Sequence, residues 1–454
     1  MSQEQSQAVP TRNQSIIDSF FKKFSFGEIL RKANIRKTKG ASPLAIFSLI
    51  FSLAFSGKNF YQGVVQNSES PAGKDAVYNF LNNPKFNWRR LGLLMVAKIF
   101  VYIRNLIDKP EDEEVLIFDD SPYERGRSKK VELLSRVFDH TFRKYIRGFR
   151  LLTLGWSDGN TFLGLDFVLL SSADIKNRYQ EIIKSLDKRT CGYKRRIEAV
   201  VKSTELLEPM LKRALSFGIK AKYVLMDSWF SAPCVISTLR KHIHVICMLK
   251  DQPTWLYIYQ GKKMRLSELY RKLKKRRGKS KVKASVIVES AKGEKVKIVF
   301  VPSDKKRGWL ALLTTDIFML DEEVIRLYGK RWDIEVYFKV AKQHLKLVKE
   351  IQLRDYDGLI AHTTIVMMRY NFLAYCQREA VDHRTCGELF RTCCQELENL
   401  RFIEALQRIM AIATEVVRKS HSLAEETIRD LIDAVMGEAI RFFNLDDRQS
   451  PLIS

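Results

Sequence analysis

The chain predicts an α/β protein, with a mixed-sheet core set between two helical regions. Three observations carry that reading. Apolar residues recur at three- and four-residue spacing over Ile16–Phe24 and Leu91–Ile107. After Pro110 and the acidic run Glu111–Glu114 the pattern changes to short apolar runs of strand length, and from Leu320 to the end helical periodicity returns. A length of 454 residues calls for two to four domains, and 27 Phe with 16 Tyr can fill a sizeable core.

Taken in order, Ile16–Phe24 and Leu91–Ile107 predict helices, and Ala41–Phe55 predicts a buried helix with Ser48, Ser52 and Ser56 on one side. Val115–Phe118 predicts a strand that ends in Asp119-Asp120. Phe149–Trp156 and Thr161–Leu170 predict a hairpin, because Ser157-Asp158-Gly159-Asn160 between them has turn chemistry. Then come a helix at Ser203–Phe217, a strand at Tyr223–Met226 ending in Asp227, a helix at Pro233–Lys241 and a strand at His244–Leu249. Trp255–Tyr259, Ala284–Val288 and Val296–Val301 predict strands around a basic connector. Glu322–Leu347 predicts one helix, and the helical tail beyond it has a polar break at Asp382-His383-Arg384.

Composition narrows the function. A formal net charge of +26 points to a polyanionic partner. Lys262–Arg307 alone holds 18 Lys or Arg against four acids. An anionic membrane is excluded as a span, since Ala41–Phe55 is shorter than the roughly 20 residues needed. Met1–Ser15 lacks the apolar core of a signal peptide, and seven cysteines without a CxxC pair predict reduced thiols, a cytoplasmic protein and no structural zinc. No Ser/His/Asp or Cys/His set stands out, and the seven histidines have no metal-ligand spacing.

The chemistry-bearing residues are acids. Asp119 or Asp120 and Asp227 close two strands, where a sheet holds side chains rigidly and carboxylates can share a hard cation, although such acids also cap turns. On the predicted helix Glu322–Leu347, Tyr328, Arg331, Glu335 and Lys342 fall within an arc of about 60° beside an apolar face of Ile334, Phe338, Ala341 and Leu345. An Arg331–Glu335 surface pair explains two of the four, but not Tyr328 and Lys342.

The spacing Tyr328-x2-Arg331-x3-Glu335-x6-Lys342 resembles the signature around the catalytic Glu of bacterial DDE transposases of the insertion sequence four family. Leu225–Phe230 is similar to that family's second-Asp segment, and Ile117–Ser121 to its first, with Ser121 in place of the usual threonine. The resemblance covers Val115 to about Leu347 and implies a ribonuclease-H-like core with a β-rich insertion. It divides the chain into a helical DNA-binding region at 1–110, core at 111–250, basic insertion at 251–310, core with the catalytic helix at 311–356, and a helical, dimerising region at 357–454. Two Mg²⁺ ions, replaceable by Mn²⁺, would be held by Asp120, Asp227 and Glu335, with Asp119 the alternative to Asp120. Two metals would activate an oxygen nucleophile and stabilise the leaving oxygen in cut-and-paste transposition, with no small-molecule substrate.

The same resemblance implies phosphate contacts by Tyr328, Arg331 and Lys342, and base stacking on Trp309 unless that residue is a strand-start core residue. Trp229 and Trp332 read as core. The run Arg271–Lys283, with Lys274, Lys275, Arg276 and Arg277, reads as DNA contact, as do Arg125, Arg127, Lys129 and Lys130; Lys194-Arg195-Arg196 is a shorter run of the same kind. The implied partners are double-stranded DNA (terminal inverted repeats and target) and a second copy of the chain, in a nucleoid-associated bacterial protein. A resident nuclease on the same fold and a non-catalytic DNA-binding protein are the competing readings.

Overall fold

In the computed structural model, residues 15–106, 114–139, 142–183, 185–276, 280–303, 308–379, 385–420, 430 and 434–435 are described. The sequence boundary at Pro110, the break at Asp382–Arg384 and Arg277 lie outside them.

Five helices come first: α1 Ile16–Lys23, α2 Phe26–Lys32, α3 Pro43–Leu53, α4 Lys74–Leu81 and α5 Trp88–Arg104. Their starts are set by side-chain caps. Ser15, Ser42 and Asn87 accept from Asp18, Ala45 and Arg90 backbone N–H groups, and Pro43 opens α3 where no intrahelical donor is lost. Four strands follow: β1 Val115–Glu124, β2 Ser135–Asp139, β3 Lys144–Ser157 and β4 Phe162–Leu170. Then come α6 Cys191–Ala199, α7 Ser203–Ser216, β5 Tyr223–Met226, α8 Pro233–Leu239 and β6 His244–Met248. The insertion contributes β7 Tyr257–Tyr259, β8 Lys262–Met264, α9 Leu266–Lys272, β9 Ala284–Ser290 and β10 Lys295–Pro302, and β11 Trp309–Thr314 returns to the core. Helices α10 Asp321–Gly329, α11 Trp332–Gln343, α12 Tyr356–Glu379 and α13 Cys386–Ser420 close the described chain.

The described strands all join one sheet, and β1 is the middle strand of its five-stranded core β4-β3-β1-β5-β6. It pairs antiparallel with β3 and parallel with β5; β4 adds antiparallel to β3, and β6 parallel to β5. The order β4-β3-β1-β5-β6, three antiparallel strands followed by two parallel ones, is a ribonuclease-H-like core. The long β3 serves two partners on its outer edge, β2 along Lys144–Gly148 and β4 along Arg150–Ser157. The insertion continues the sheet, since β11 pairs with both β6 and β10.

Helix α12 is buried over almost its whole length and packs on α5, α3, α4 and β4. An aromatic cluster ties the first helices to it: Phe20 and Phe51 meet Phe372, and Phe24 meets Tyr375. The dimer surface expected from residue 357 onward therefore excludes α12, whose apolar residues are satisfied inside the subunit. Among the described residues no helix is long and apolar enough to cross a membrane, and all seven cysteines are free thiols.

Two predicted elements change shape. β1 runs six residues past Phe118, because β3 is long enough to pair with it as far as Glu124↔Gly148. The single helix Glu322–Leu347 breaks between Gly329 and Trp332, where Lys330 and Arg331 N–H groups bond three residues back and tighten the turn. It ends at Gln343, and Lys346 and Val348 adopt positive φ.

At the far end of the β1–β3 ladder, a Cβ on Gly148 would stand 2.1 Å from the Tyr123 carbonyl oxygen and 3.2 Å from Glu124 Cα. Backbone cannot yield as a side-chain tip can. Gly148→Ala is expected to lower stability by about 2–3 kcal/mol, measured by urea unfolding; an unchanged midpoint would mean that the ladder relaxes freely there.

Candidate active site

The site grows from the register of two parallel strands. Pairing of β1 with β5 stops at Phe118↔Met226, so the next residues, Asp119 and Asp227, leave the paired segment side by side. Asp119 remains in β1, held by β3, while Asp227 turns at once, its carboxylate accepting the Trp229 N–H at 2.8 Å. Side chains alternate along a strand, so Asp119 and Ser121 share one face and Asp120 takes the other.

Helix α11 crosses the Asp119 face. Arg331, at its start, donates from Nη1 to Asp119 Oδ2 at 2.9 Å and from Nη2 to Glu335 Oε1 at 2.5 Å. One planar guanidinium thus spans both carboxylates, whose nearest oxygens lie within about 8 Å. About two turns beyond Glu335 along α11, Lys342 Nζ donates to Ser121 Oγ at 2.6 Å. Asp120 instead pairs with Arg150 of β3, which also donates to the Phe138 carbonyl at 2.8 Å. Asp119, Asp120, Ser121, Arg150, Asp227, Arg331 and Glu335 line a cleft of 550 Å³ together with Pro122, Trp229, Lys250 and Phe338.

The electrostatics of the cleft are governed by burial. Burial pushes the Asp119 carboxyl up to about 7; Asp227 and Asp120 add to the rise, and Arg331 only partly offsets it. Burial likewise raises the Tyr328 hydroxyl, which keeps its proton beside Arg331, and lowers the Lys342 ammonium against the pull of Asp139 and Glu124. The carboxylates of Asp119, Asp227 and Glu335 form an all-oxygen donor set of the kind that suits a hard divalent cation. Among the described residues no three acids or imidazoles converge closely enough to hold an ion as they stand, since Arg331 sits between Asp119 and Glu335.

Of the residues singled out in the sequence, Asp119, Asp120, Asp227, Arg331 and Glu335 meet in this cleft, and Tyr328 and Lys342 adjoin it. Others are occupied elsewhere. Trp309 is half-buried in a cluster with Tyr270 and Phe300, its ring 5.0 and 5.3 Å from theirs, as a strand-start packing residue would be. Arg125 donates to the Val348 and Leu353 carbonyls and braces the chain after α11 instead of facing DNA. Arg195 and Arg196 are buried against Asp357, Glu132 and Asp355, which leaves Lys194 as the one exposed member of that run. Arg276 pairs with Asp321 and Glu322, whereas Arg127, Lys129, Lys130, Lys274 and Lys275 are exposed.

Trp229 and Trp332 correct the core reading: they are 52% and 64% exposed and flank the acids. Lys250 Nζ lies 4.8 Å from the Trp229 ring centre, a cation–π contact at the mouth of the cleft. Sequence reasoning missed Arg150 and Lys250, which enter only through the register of β3 and the end of β6. The Asp227-Ser228-Trp229 turn carried a signal for Trp229, since a residue two past a strand-end acid leaves the sheet.

Two family models match parts of the chain. The family model described as DDE superfamily endonuclease matches residues 44–251, and the one described as transposase DDE domain matches residues 190–372. Each match covers less than half of the chain, and together they show similarity to DDE endonuclease and transposase domains over residues 44–372. No curated protein matches the sequence. Among solved structures, the C-terminal lobe of a budding yeast Argonaute aligns over 85% of this chain and 81% of that one at 11% identity, with a TM-score of 0.22.

Proposed function

From the similarity to DDE endonuclease and transposase domains, we propose that this chain is the transposase of an insertion sequence, cutting DNA at the element ends and joining them to target DNA. The observation that carries the reading is the placement of Asp119, Asp227 and Glu335 around one cleft, with Arg331 bridging the first and the last. Asp119 takes the place that the sequence assigns to Asp120, because α11 lies on the Asp119 face. These three carboxylates would hold two Mg²⁺ or Mn²⁺ ions, which supply an activated oxygen nucleophile and a stabilised leaving oxygen.

The chain's own residues do the rest. Arg331 keeps the carboxylates apart in the free protein and, on release, offers its planar fork to a DNA phosphate. Lys342 sits a hydroxyl's length from β1 and can swing from Ser121 to a phosphate without leaving the cleft wall. Terminal inverted repeats as substrate, a homodimer on DNA and association with the bacterial nucleoid belong to the same proposal.

The direct test uses a plasmid carrying the inverted repeats that flank the coding sequence. Nicks and double-strand ends at the repeats should appear only with both protein and Mg²⁺; a plasmid left intact under both conditions removes the proposal. Lys342→Ala is expected to weaken binding to the repeat ends by roughly 5- to 10-fold, the worth of one charge-assisted contact, with Mn²⁺ affinity unchanged. Equal end binding by variant and wild type would return Lys342 to a purely structural role.

A further inference from the structure

The β2–β3 hairpin carries a surface that the cleft does not use. Its ladder sets Arg136 directly opposite Arg147, and Phe138 opposite Tyr145, all on one face. Like charges facing each other across a ladder destabilise it. Arg136, Arg143 and Arg147 are exposed, and no ion pair engages them among the described residues. Asp139, on the same hairpin, is buried, accepts the Phe142 N–H and stands opposite Lys144 on the other face. Two large aromatics are exposed with them, Phe142 at 71% and Tyr145 at 58%. The Arg136 guanidinium lies 3.8 Å from the Tyr145 ring centre, which orients it while leaving its donors toward solvent.

A fold keeps an uncompensated arginine pair when a partner supplies the negative charge. The hairpin is also tied to the cleft, for Arg150 reaches Asp120 with one nitrogen and the Phe138 carbonyl with the other. We propose that this hairpin face is a DNA-binding strip: Arg136, Arg143 and Arg147 hold phosphates of the DNA beside the cut, and Tyr145 and Phe142 offer stacking faces to its bases. The inference rests on DNA being the partner, as in the function proposed above, but not on the metal chemistry.

The experiment compares the full-length protein with Arg136→Gln/Arg147→Gln and with Phe142→Ala/Tyr145→Ala. Binding is followed by fluorescence anisotropy on a mixed-sequence duplex several helical turns long and on a single strand of mixed sequence. Each phosphate contact adds about 0.9 to the slope of log K against log salt for duplex, so the arginine variant should lose roughly 2 from that slope and about 10-fold or more in affinity. The aromatic variant should lose roughly 5-fold or more on the single strand with a smaller loss on duplex. Thermal unfolding of the arginine variant should be unchanged or raised, because the like-charge pair is relieved.

Unchanged slope and affinity in a wild type that binds DNA overturn the strip. So does a loss confined to vesicles of phosphatidylserine and phosphatidylcholine, which assigns the face to a membrane. A wild type that binds DNA but never cuts the plasmid removes the metal mechanism and leaves the strip standing; one that binds no DNA removes both.

Discussion

Asp119→Asn, Asp227→Asn and Glu335→Gln are each expected to lower Mg²⁺-dependent cleavage by at least 10²–10³-fold, the scale at which one preorganised electrostatic group is removed from a transition state. Each substitution keeps the side chain's size and deletes only its charge, so DNA binding should hold or rise slightly as the cleft becomes less negative. The discriminating member of the series is Asp120→Asn. That carboxylate lines the same cleft but answers Arg150 of β3 and not Arg331 of the α11 start, so its loss should lower stability while leaving cleavage within about 10-fold of wild type. Single-turnover cleavage of the repeat-bearing plasmid separates the two. Should Asp120→Asn abolish cutting while Asp119→Asn retains it, the ligand is the residue favoured by the sequence, and the helix-facing argument fails.

How much of this was legible beforehand depends on which residues carry their own signal. Tyr223–Met226 read correctly to the residue, because a buried parallel strand is a closed apolar run bounded by polar residues. The Ser157–Asn160 turn also read correctly, since the Asp158 carboxylate takes the Asn160 and Thr161 N–H groups and Gly159 sits at positive φ. Where an element depends on its neighbour, the sequence falls short. β1 outruns its apolar core because β3 is there to pair with it, and no periodicity in Val115–Glu124 announces that.

The basic residues teach the same lesson in charge. Counting Lys and Arg correctly indicates a polyanion, but a count holds no information about who is already paired. Arg125 holds carbonyls, Arg196 three buried carboxylates and Arg276 the start of α10, while the exposed Arg136 and Arg147 sit in no conspicuous run. The four-residue stripe on α10 and α11 survives the break at Lys330 because a tightened turn shifts the helical phase only slightly. That persistence explains why a wheel drawn on one continuous helix still brought Tyr328, Arg331 and Glu335 together.

The largest effect on folding is expected at Arg369, which is fully buried in α12. It donates to the Phe51 and Ile50 carbonyls at the end of α3, to the Leu345 carbonyl just past α11 and to both oxygens of Glu350. Arg369→Met should cost roughly 3–5 kcal/mol, because it leaves Glu350 charged in the interior without its guanidinium counter-charge; of a typical total of about 5–15 kcal/mol that is a large share. Arg369→Met with Glu350→Leu should recover much of the loss. The pH dependence follows in sign. Burial alone would raise the Glu350 pKa, but Arg369 and the His362 hydrogen bond outweigh it and hold it below 4.5, while burial holds His362 below 6.5. The unfolded chain therefore protonates first at both groups, and their contribution to stability declines as pH falls below 6.5 and is lost through the folded pKa values. In Arg369→Met the carboxylate loses its main counter-charge, so its pKa rises and acid relieves the strain of burying it. The stability gap between variant and wild type, read from urea unfolding, should accordingly narrow between about pH 8 and about pH 5. A gap that stays constant over that range would mean that Glu350 is not the charge left behind, and that the cost of the substitution lies in the three carbonyls.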